Sequence, residues 1–345
     1  MPPAGPFAFI EACFRRPAPF TPIWLMRQAG RYMAEYRAMR ARFGFLELCK
    51  TPEAAAEVTL QPVERLGVDA AILFADILLV LEPLGVGLEF TRGDGPRIGR
   101  PVRTAAAARA LGPVVVEDAL GYVFDTVGRV RKALADRVPL IGFAGAPFTL
   151  ASYLVEGGPS REFLLTKRFM RAEPQAWEAM MTTLADITAD YLNGQIGAGA
   201  QAVQLFDSWV GALSPDDYRR YVQPYTSRAI GKLRRGVPII HFGVGTGGLL
   251  PLMKAAGGDV IGLDWRVDLG STWAQLGHDV AVQGNLDPAV LLGSVDEIRQ
   301  AARQILDGAA GRPGHIFNLG HGIHKETPVE HVAALVDIVH ELSSR

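Results

Sequence analysis

Short apolar segments recur along the 345-residue chain, and most contain β-branched or aromatic residues, which is typical of buried β-strands. Eight such segments predict strands, at residues 23–26, 69–74, 139–143, 202–206, 238–242, 260–263, 280–282 and 315–319. Between them, apolar residues at helical spacing predict helices at 117–137, 174–197, 216–235 and 328–342. Ser214 followed by a proline and two aspartates has the composition of a capped helix start.

Strands that alternate with helices predict parallel pairing through right-handed crossovers, and eight such units close a barrel with the helices outside. We therefore predict an α/β fold, a single (β/α)8 TIM-type barrel domain over residues 1–345, in which residues 1–20 are a loose N-terminal lead-in. Residues 86–102 alternate around Gly93, Asp94 and Gly95, which predicts a β-hairpin insertion after the second strand.

The composition is typical of a globular protein and disfavours several classes of function. Apolar residues make up 49% of the chain, and the formal net charge is −1. Nucleic acids and membrane surfaces attract a large basic excess, so no nucleic-acid or membrane partner is predicted. Without a signal-peptide pattern or a run of about 18 apolar residues, a cytoplasmic location is expected. Cys13 and Cys49 lack ligand spacing, so neither a metal site nor a structural disulfide is predicted.

Polar residues follow the predicted strands, at the end of the barrel where catalytic groups of this fold collect. They are Arg27, Asp76, the loop 144–147, Asp207, Ser208, His241, Asp264, Asn285 and His321. Arg27 and Arg31 flank Gly30 and predict an anion site, because a guanidinium grips a carboxylate with two parallel hydrogen bonds. Further along this basic segment, Arg37 and Arg42 are assigned to the solvated face of a helix.

Three of these features allow two interpretations. Asp76 stands in an apolar setting, where a carboxylate serves either chemistry or a helix cap. His321, between two glycines, either contacts a ligand or caps the final helix. Residues 243–248 fit the G-x-G-x-x-G pattern of dinucleotide sites, with Asp264 ending the next strand. That site is disfavoured, because the unit is the fifth of eight and His241 lies within its strand.

Taken in this order, the segments resemble the uroporphyrinogen decarboxylase family over nearly the whole chain. The motifs are residues 22–33, 74–78, 142–149, 206–209, 283–288 and 318–322. The resemblance implies a cofactor-free, homodimeric barrel that converts uroporphyrinogen III, a polyanionic tetrapyrrole, into coproporphyrinogen III and CO2 in haem and chlorophyll biosynthesis.

The same resemblance assigns roles to individual residues. It implies that Asp76 and Arg27 are catalytic, and that substrate is bound by Arg27, Gln28, Ala29, Gly30, Arg31, Asp76, Tyr153, Ser208 and His321. Arg40, Phe143 and Phe206 are further candidates for the substrate site.

Two other functions stay open from the sequence. One is a zinc-dependent methyltransferase of the same barrel superfamily that acts on corrinoid- or thiol-bound methyl groups. Such relatives tend to carry a His-x-Cys pair at the fifth strand, whereas here His241 is followed by Phe242 and Gly243. The other is a noncatalytic tetrapyrrole carrier, in which the arginines provide affinity alone.

Overall fold

The computed structural model describes residues 7–91 and 95–344. Seven parallel strands form one curled sheet in the order β1-β4-β5-β6-β7-β8-β9, and two more form a separate antiparallel pair. The strands in these ranges are β1 (Ala71–Ile72), β2 (Leu88–Thr91), β3 (Gly95–Ile98), β4 (Leu140–Gly145), β5 (Ala202–Asp207), β6 (Ile239–Gly243), β7 (Val260–Gly262), β8 (Ala281–Gln283) and β9 (His315–Ile316). The α/β class and the parallel sheet are confirmed.

Helices connect successive strands of the large sheet. Within the described ranges they are α1 (Ala8–Cys13), α2 (Ala34–Arg42), α3 (Phe45–Lys50), α4 (Pro52–Leu66), α5 (Ala105–Arg109), α6 (Val116–Leu134), α7 (Pro147–Glu156), α8 (Leu164–Ala172), α9 (Pro174–Ala198), α10 (Pro215–Tyr221), α11 (Gln223–Gly231), α12 (Leu250–Ala256), α13 (Leu269–Leu276), α14 (Val295–Ala309) and α15 (Val329–Ser343). Short 3-10 helices occupy Leu79–Leu84, Val210–Ala212 and Pro288–Leu292. None of the described helices is both long and apolar enough to span a membrane.

The helix predicted at 216–235 is instead two helices, α10 and α11. Pro224 is the cause, because it lacks an amide hydrogen and its ring clashes with the carbonyl four residues earlier, so that a continuous helix cannot pass through it. The break falls at Val222, whose φ and ψ are −126° and −54°. The predicted helix start is confirmed, since the hydroxyl of Ser214 accepts a hydrogen bond from the Asp217 amide at 3.2 Å.

The inner face of the curled sheet has its own apolar cluster, formed by alternate residues of the strands. Its strand members include Ile141, Ala202, Ile240, Phe242, Val260, Ala281 and Ile316. Helix α1 adds Phe9, Ala12 and Cys13, all buried, to this cluster. The expectation of a loose lead-in over residues 1–20 is therefore wrong for residues 8–13, because an apolar helix face finds burial on the sheet that outweighs the entropy of a free terminus.

The segment predicted as the first strand forms a single parallel bridge, from Ile23 to Phe317. On one side, Phe317 donates its amide hydrogen to the Pro22 carbonyl at 2.8 Å. On the other, the Asp69 amide donates to the Ile23 carbonyl at 2.8 Å, and the Asp69 carboxylate accepts from the Ile23 amide at 2.7 Å. The segment therefore lies between the residues that precede β1 and those that follow β9.

The two remaining strands, β2 and β3, pair antiparallel, with Leu88 opposite Ile98. Of the turn predicted to join them, Gly93 and Asp94 lie outside the described residues. The interpretation of residues 86–102 as an inserted hairpin stays a prediction.

We expect Phe9→Ala to lower the free energy of unfolding by about 3–5 kcal/mol, because it leaves a cavity beside the inner face of the sheet. Phe9 is fully buried, whereas Phe14 at the end of α1 is only half-buried, so Phe14→Ala is the control and should cost much less. Urea denaturation of both variants measures the difference. An unchanged midpoint for Phe9→Ala would show that α1 is not docked in solution.

Candidate active site

The loop that carries Arg27 is fixed by buried side chains. The Asn318 side chain accepts the Met26 amide hydrogen at 3.1 Å, and Gln28 accepts that of Leu25 at 3.1 Å. The Gln28 amide group also donates to the Ala70 carbonyl at 3.2 Å. These bonds turn the chain sharply after the strand-like segment, so that Arg27 adopts a φ of 62° and its side chain is exposed.

Two glycines leave room for Arg27. A Cβ on Gly322 would stand 2.4 Å from the Arg27 Cδ atom, and one on Gly30 would stand 2.9 Å from the Arg27 carbonyl oxygen. The aliphatic stem of Arg27 therefore lies against the glycine that follows His321. Arg31 is also exposed, and in the ranges that the structure describes neither arginine forms an ion pair with an acidic side chain. Both guanidinium groups are available to an anionic ligand.

Asp76 follows β1 and lies close enough to Arg27 for the two charges to interact. Burial raises the pKa of its carboxyl group to about 6, against the opposing effects of a hydrogen bond from the Leu78 amide and of the Arg27 charge. The Leu78 bond is 2.9 Å long and fixes one carboxylate oxygen. A carboxylate of this pKa is predominantly ionised at neutral pH, but in a poorly hydrated setting.

Tyr153, on α7, faces the same space. Burial raises the pKa of its phenol, the Asp76 carboxylate raises it further, and the Arg27 charge opposes both. Its ring packs on that of Trp209, with the centroids 3.9 Å apart. Trp209 comes directly after Ser208, which follows β5, so the predicted substrate residues of α7 and β5 are held together by an aromatic contact.

His321, after β9, completes the group. Burial lowers the pKa of its imidazole, and the Arg27 charge lowers it further. The ring meets Trp265 edge to face at a centroid distance of 5.9 Å. Arg27, Asp76, Tyr153 and His321 therefore surround one space at the carboxyl ends of the strands, with Arg27 acting electrostatically on the other three.

Two further candidates, Phe143 and Phe206, form the apolar side of this end of the sheet. Their rings meet edge to face at 5.5 Å, and Phe206 in turn meets Phe242 at 6.0 Å. A partly solvated aromatic wall of this kind suits the flat, apolar rings of a macrocycle, with charged groups placed around its rim.

Other residues of the basic segment serve the chain itself. The Arg37 guanidinium donates to the Arg31 and Tyr32 carbonyls at 2.9 and 2.8 Å. That of Arg40 donates to the Phe43 carbonyl at 2.6 Å and lies over the Phe45 ring. The Gln28 side chain likewise forms hydrogen bonds with backbone groups. It therefore affects a ligand indirectly, by fixing the position of Arg27.

In the glycine-rich loop at 243–248, a backbone amide that a dinucleotide phosphate would need is already bonded to a neighbouring side chain. The carboxylate of Asp264 accepts hydrogen bonds from the Gly245 amide, from the Arg266 amide at 2.9 Å and from the Arg266 guanidinium at 3.0 Å. A ribose-binding aspartate keeps its oxygens for the ligand, so this arrangement fits a structural role instead.

Sequence reasoning missed Trp209 and Asn318 as site residues. Asn318 stood inside a recognised motif, but only the structure shows that its side chain holds Met26. In residues 7–91 and 95–344, no three His, Cys, Asp or Glu side chains group as metal ligands do.

Comparison with known proteins gives one family. The family model described as uroporphyrinogen decarboxylase (URO-D) matches residues 7–342. A uroporphyrinogen decarboxylase from Carboxydothermus hydrogenoformans is 56% identical over 337 residues, which cover 97% of this chain and 96% of that protein. One from Sorangium cellulosum is 56% identical over 335 residues, with coverage of 97% and 96%.

Among solved structures, a methyltransferase from Methanosarcina mazei superposes with a TM-score of 0.81 over 97% of both chains, at 21% identity. At that identity the likeness shows a shared fold alone.

We expect Asp76→Asn to stabilise the protein by about 2 kcal/mol at pH 8, somewhat less than the full pKa shift corresponds to, because the side chain is partly solvated. A carboxyl pKa raised from 3.8 to about 6 means that the ionised form destabilises the native state above pH 6. The advantage of asparagine should shrink as the pH falls below 6, where the native carboxyl binds a proton first, and vanish below the ordinary pKa. Urea denaturation across this range tests it, and a pH-independent difference would contradict the burial of the charge.

Proposed function

The chain belongs to the uroporphyrinogen decarboxylase family of carboxy-lyases in tetrapyrrole biosynthesis, and we propose that it removes the four acetate carboxyl groups of uroporphyrinogen III without a cofactor. The products are coproporphyrinogen III and CO2. The observation that carries this proposal is the closeness of Arg27 to the half-buried Asp76 carboxylate at the ends of the strands. Neither Arg27 nor Arg31 forms an ion pair with another described residue. The substrate has the complementary pattern, with carboxylates at its periphery and pyrrole N–H groups at its centre.

Asp76 accepts hydrogen bonds from the pyrrole N–H groups in this mechanism. Protonation of a ring carbon next to the acetate-bearing carbon makes the pyrrole cationic, and the ring then takes up the electron pair when the C–C bond to the carboxylate breaks. Protonation of the resulting methylene gives the methyl group, and loss of the ring proton restores the pyrrole, so one proton is consumed per CO2 released. A fixed anion in a poorly hydrated site stabilises the cation as it forms.

Arg27 and Arg31 hold substrate carboxylates, since their guanidinium groups are exposed and form no ion pair with an acidic side chain of residues 7–91 or 95–344. Tyr153, Ser208 and His321 donate hydrogen bonds to other carboxylates and set the rotation of the macrocycle. Ala29 and Gly30 shape the loop between the arginines, and Phe143 and Phe206 contact the pyrrole faces. Arg27 is also catalytic, because it lies beside Asp76 and the reacting acetate.

The whole chain, residues 1–345, works as one barrel domain in the cytoplasm and as a homodimer. The bridge from Ile23 to Phe317, with the Asp69 hydrogen bonds on its other side, supports an eighth strand that closes the sheet into a (β/α)8 barrel. The antiparallel pairing of β2 with β3 supports our interpretation of this part of the chain as a hairpin inserted after the second strand of that barrel.

Chelator-treated protein, incubated without oxygen with freshly reduced uroporphyrinogen III, should convert the eight-carboxylate porphyrinogen to the four-carboxylate product. Chromatography of the oxidised porphyrins measures the conversion, and boiled protein is the control. No conversion, together with zinc bound to the protein as isolated, would instead favour the methyltransferase function.

Asp76→Asn should lower kcat by about 10²–10³-fold, because it removes the anion that stabilises the pyrrole cation. Binding of the oxidised porphyrin, followed by quenching of its fluorescence, should persist, since the arginines are unchanged. Arg37→Gln, which alters a helix-bound arginine of the same segment, is the control. An Asp76→Asn variant with full turnover would refute the assigned role, and wild-type protein that binds but never turns over would indicate a carrier.

A further inference from the structure

Asp207 is fully buried at the end of β5, directly before Ser208, and the proposed mechanism leaves it unused. Its neighbour Phe206 points to the inner face of the sheet, where it meets Phe143 and Phe242. Because side chains alternate along a strand, Asp207 points to the opposite face, toward the outer helices. A buried carboxylate there is costly unless polar groups surround it.

Two side chains face the Asp207 carboxylate from different elements. The hydroxyl of Thr149, on α7, donates to Oδ1 at 3.0 Å. The His241 Nε2 atom, on β6, lies 3.8 Å from Oδ2, and His241 is fully buried too. In the part of the chain that the structure describes, neither Oδ2 nor either ring nitrogen has a hydrogen-bond partner. The Thr149 hydroxyl is therefore the one direct hydrogen bond from a side chain that fixes this carboxylate among those residues.

Thr149 lies one helical turn before Tyr153 on α7, and residues four apart share a helix face. Asp207 lies two residues before Trp209, whose ring packs on that of Tyr153 at 3.9 Å. The Thr149–Asp207 hydrogen bond and the Tyr153–Trp209 contact thus join the same two elements, one turn apart. The hydrogen bond therefore joins α7 directly to the end of β5.

We propose that Asp207 is a positioning residue, which acts through Thr149 to set the distance between Tyr153 and Ser208. His241 lies 3.8 Å from the second carboxylate oxygen, on the β6 side, without a hydrogen bond to it, so the bond from Thr149 is the contact that acts in this proposal. The inference rests on the proposed function, because it takes Tyr153 and Ser208 as groups that bind the substrate carboxylates. Asp207 itself never touches the substrate.

The test combines Thr149→Val with Tyr153→Phe and measures kcat and KM for uroporphyrinogen III without oxygen. Valine has the shape of threonine but no hydroxyl donor. We expect Thr149→Val to raise KM and lower kcat/KM about tenfold, because a small displacement of a positioning group weakens substrate alignment. In the Tyr153→Phe background, the same substitution should change kcat/KM by less than about twofold, since coupled residues are non-additive.

Two variants separate positioning from general stability. Thr149→Ser keeps the donor and should restore kcat/KM to within about twofold of wild type. Thr126→Val removes a buried hydroxyl that donates to the Tyr122 carbonyl of its own helix, at 2.8 Å, and should leave both kinetic constants unchanged. Melting temperatures of all variants show whether each is folded under assay conditions.

Equal losses for Thr149→Val with and without Tyr153 would overturn the inference, because a purely structural hydrogen bond acts independently of Tyr153. So would a serine variant as impaired as the valine one. These outcomes leave the proposed function intact, since they presuppose wild-type turnover. If the wild-type chain has no turnover, the proposed function fails, and the inference fails with it.

Discussion

The placement of one short backbone segment, residues 22–28, governs the rest of this structure. Its polar groups are satisfied by three buried or half-buried side chains, Asp69, Gln28 and Asn318, which lie far apart along the chain. Asp69 also accepts a hydrogen bond from His340 of the last helix at 2.8 Å, so α15 is tied to the same point. Because unsatisfied buried backbone groups are costly, these hydrogen bonds hold the segment in one position. That position determines where the Arg27 side chain lies.

Repetition in the sequence made the large sheet predictable. Seven of the predicted segments overlap strands of the sheet, because parallel strands buried on both faces read as continuous apolar runs. Local chemistry also located the start of α10. The break at Val222 was missed because the helical spacing of apolar residues continues across it. The steric clash of Pro224 with the backbone does not change that spacing.

The charged residues of the candidate site could be chosen from the sequence, but the contacts that hold them in place could not. Arg27, Asp76 and His321 were chosen as candidates because they follow predicted strands, and the structure places them together. The stacking of Trp209 on Tyr153 and the hold of Asn318 on Met26 join residues remote in sequence, and no local pattern encodes such contacts. Gln28 was recognised as part of a motif, while its bonds to the backbone became visible only in three dimensions.

Helix α1 has a consequence for how the chain is made. It is the first described element to leave the ribosome, yet the apolar cluster that buries it includes Ala281 and Ile316, near the other terminus. At about 5–20 residues per second, roughly 300 residues of synthesis take some 15–60 s. Throughout that interval the apolar face of the nascent helix lacks its final partner. Among the described elements, α1 is therefore the one whose burial is delayed longest during synthesis.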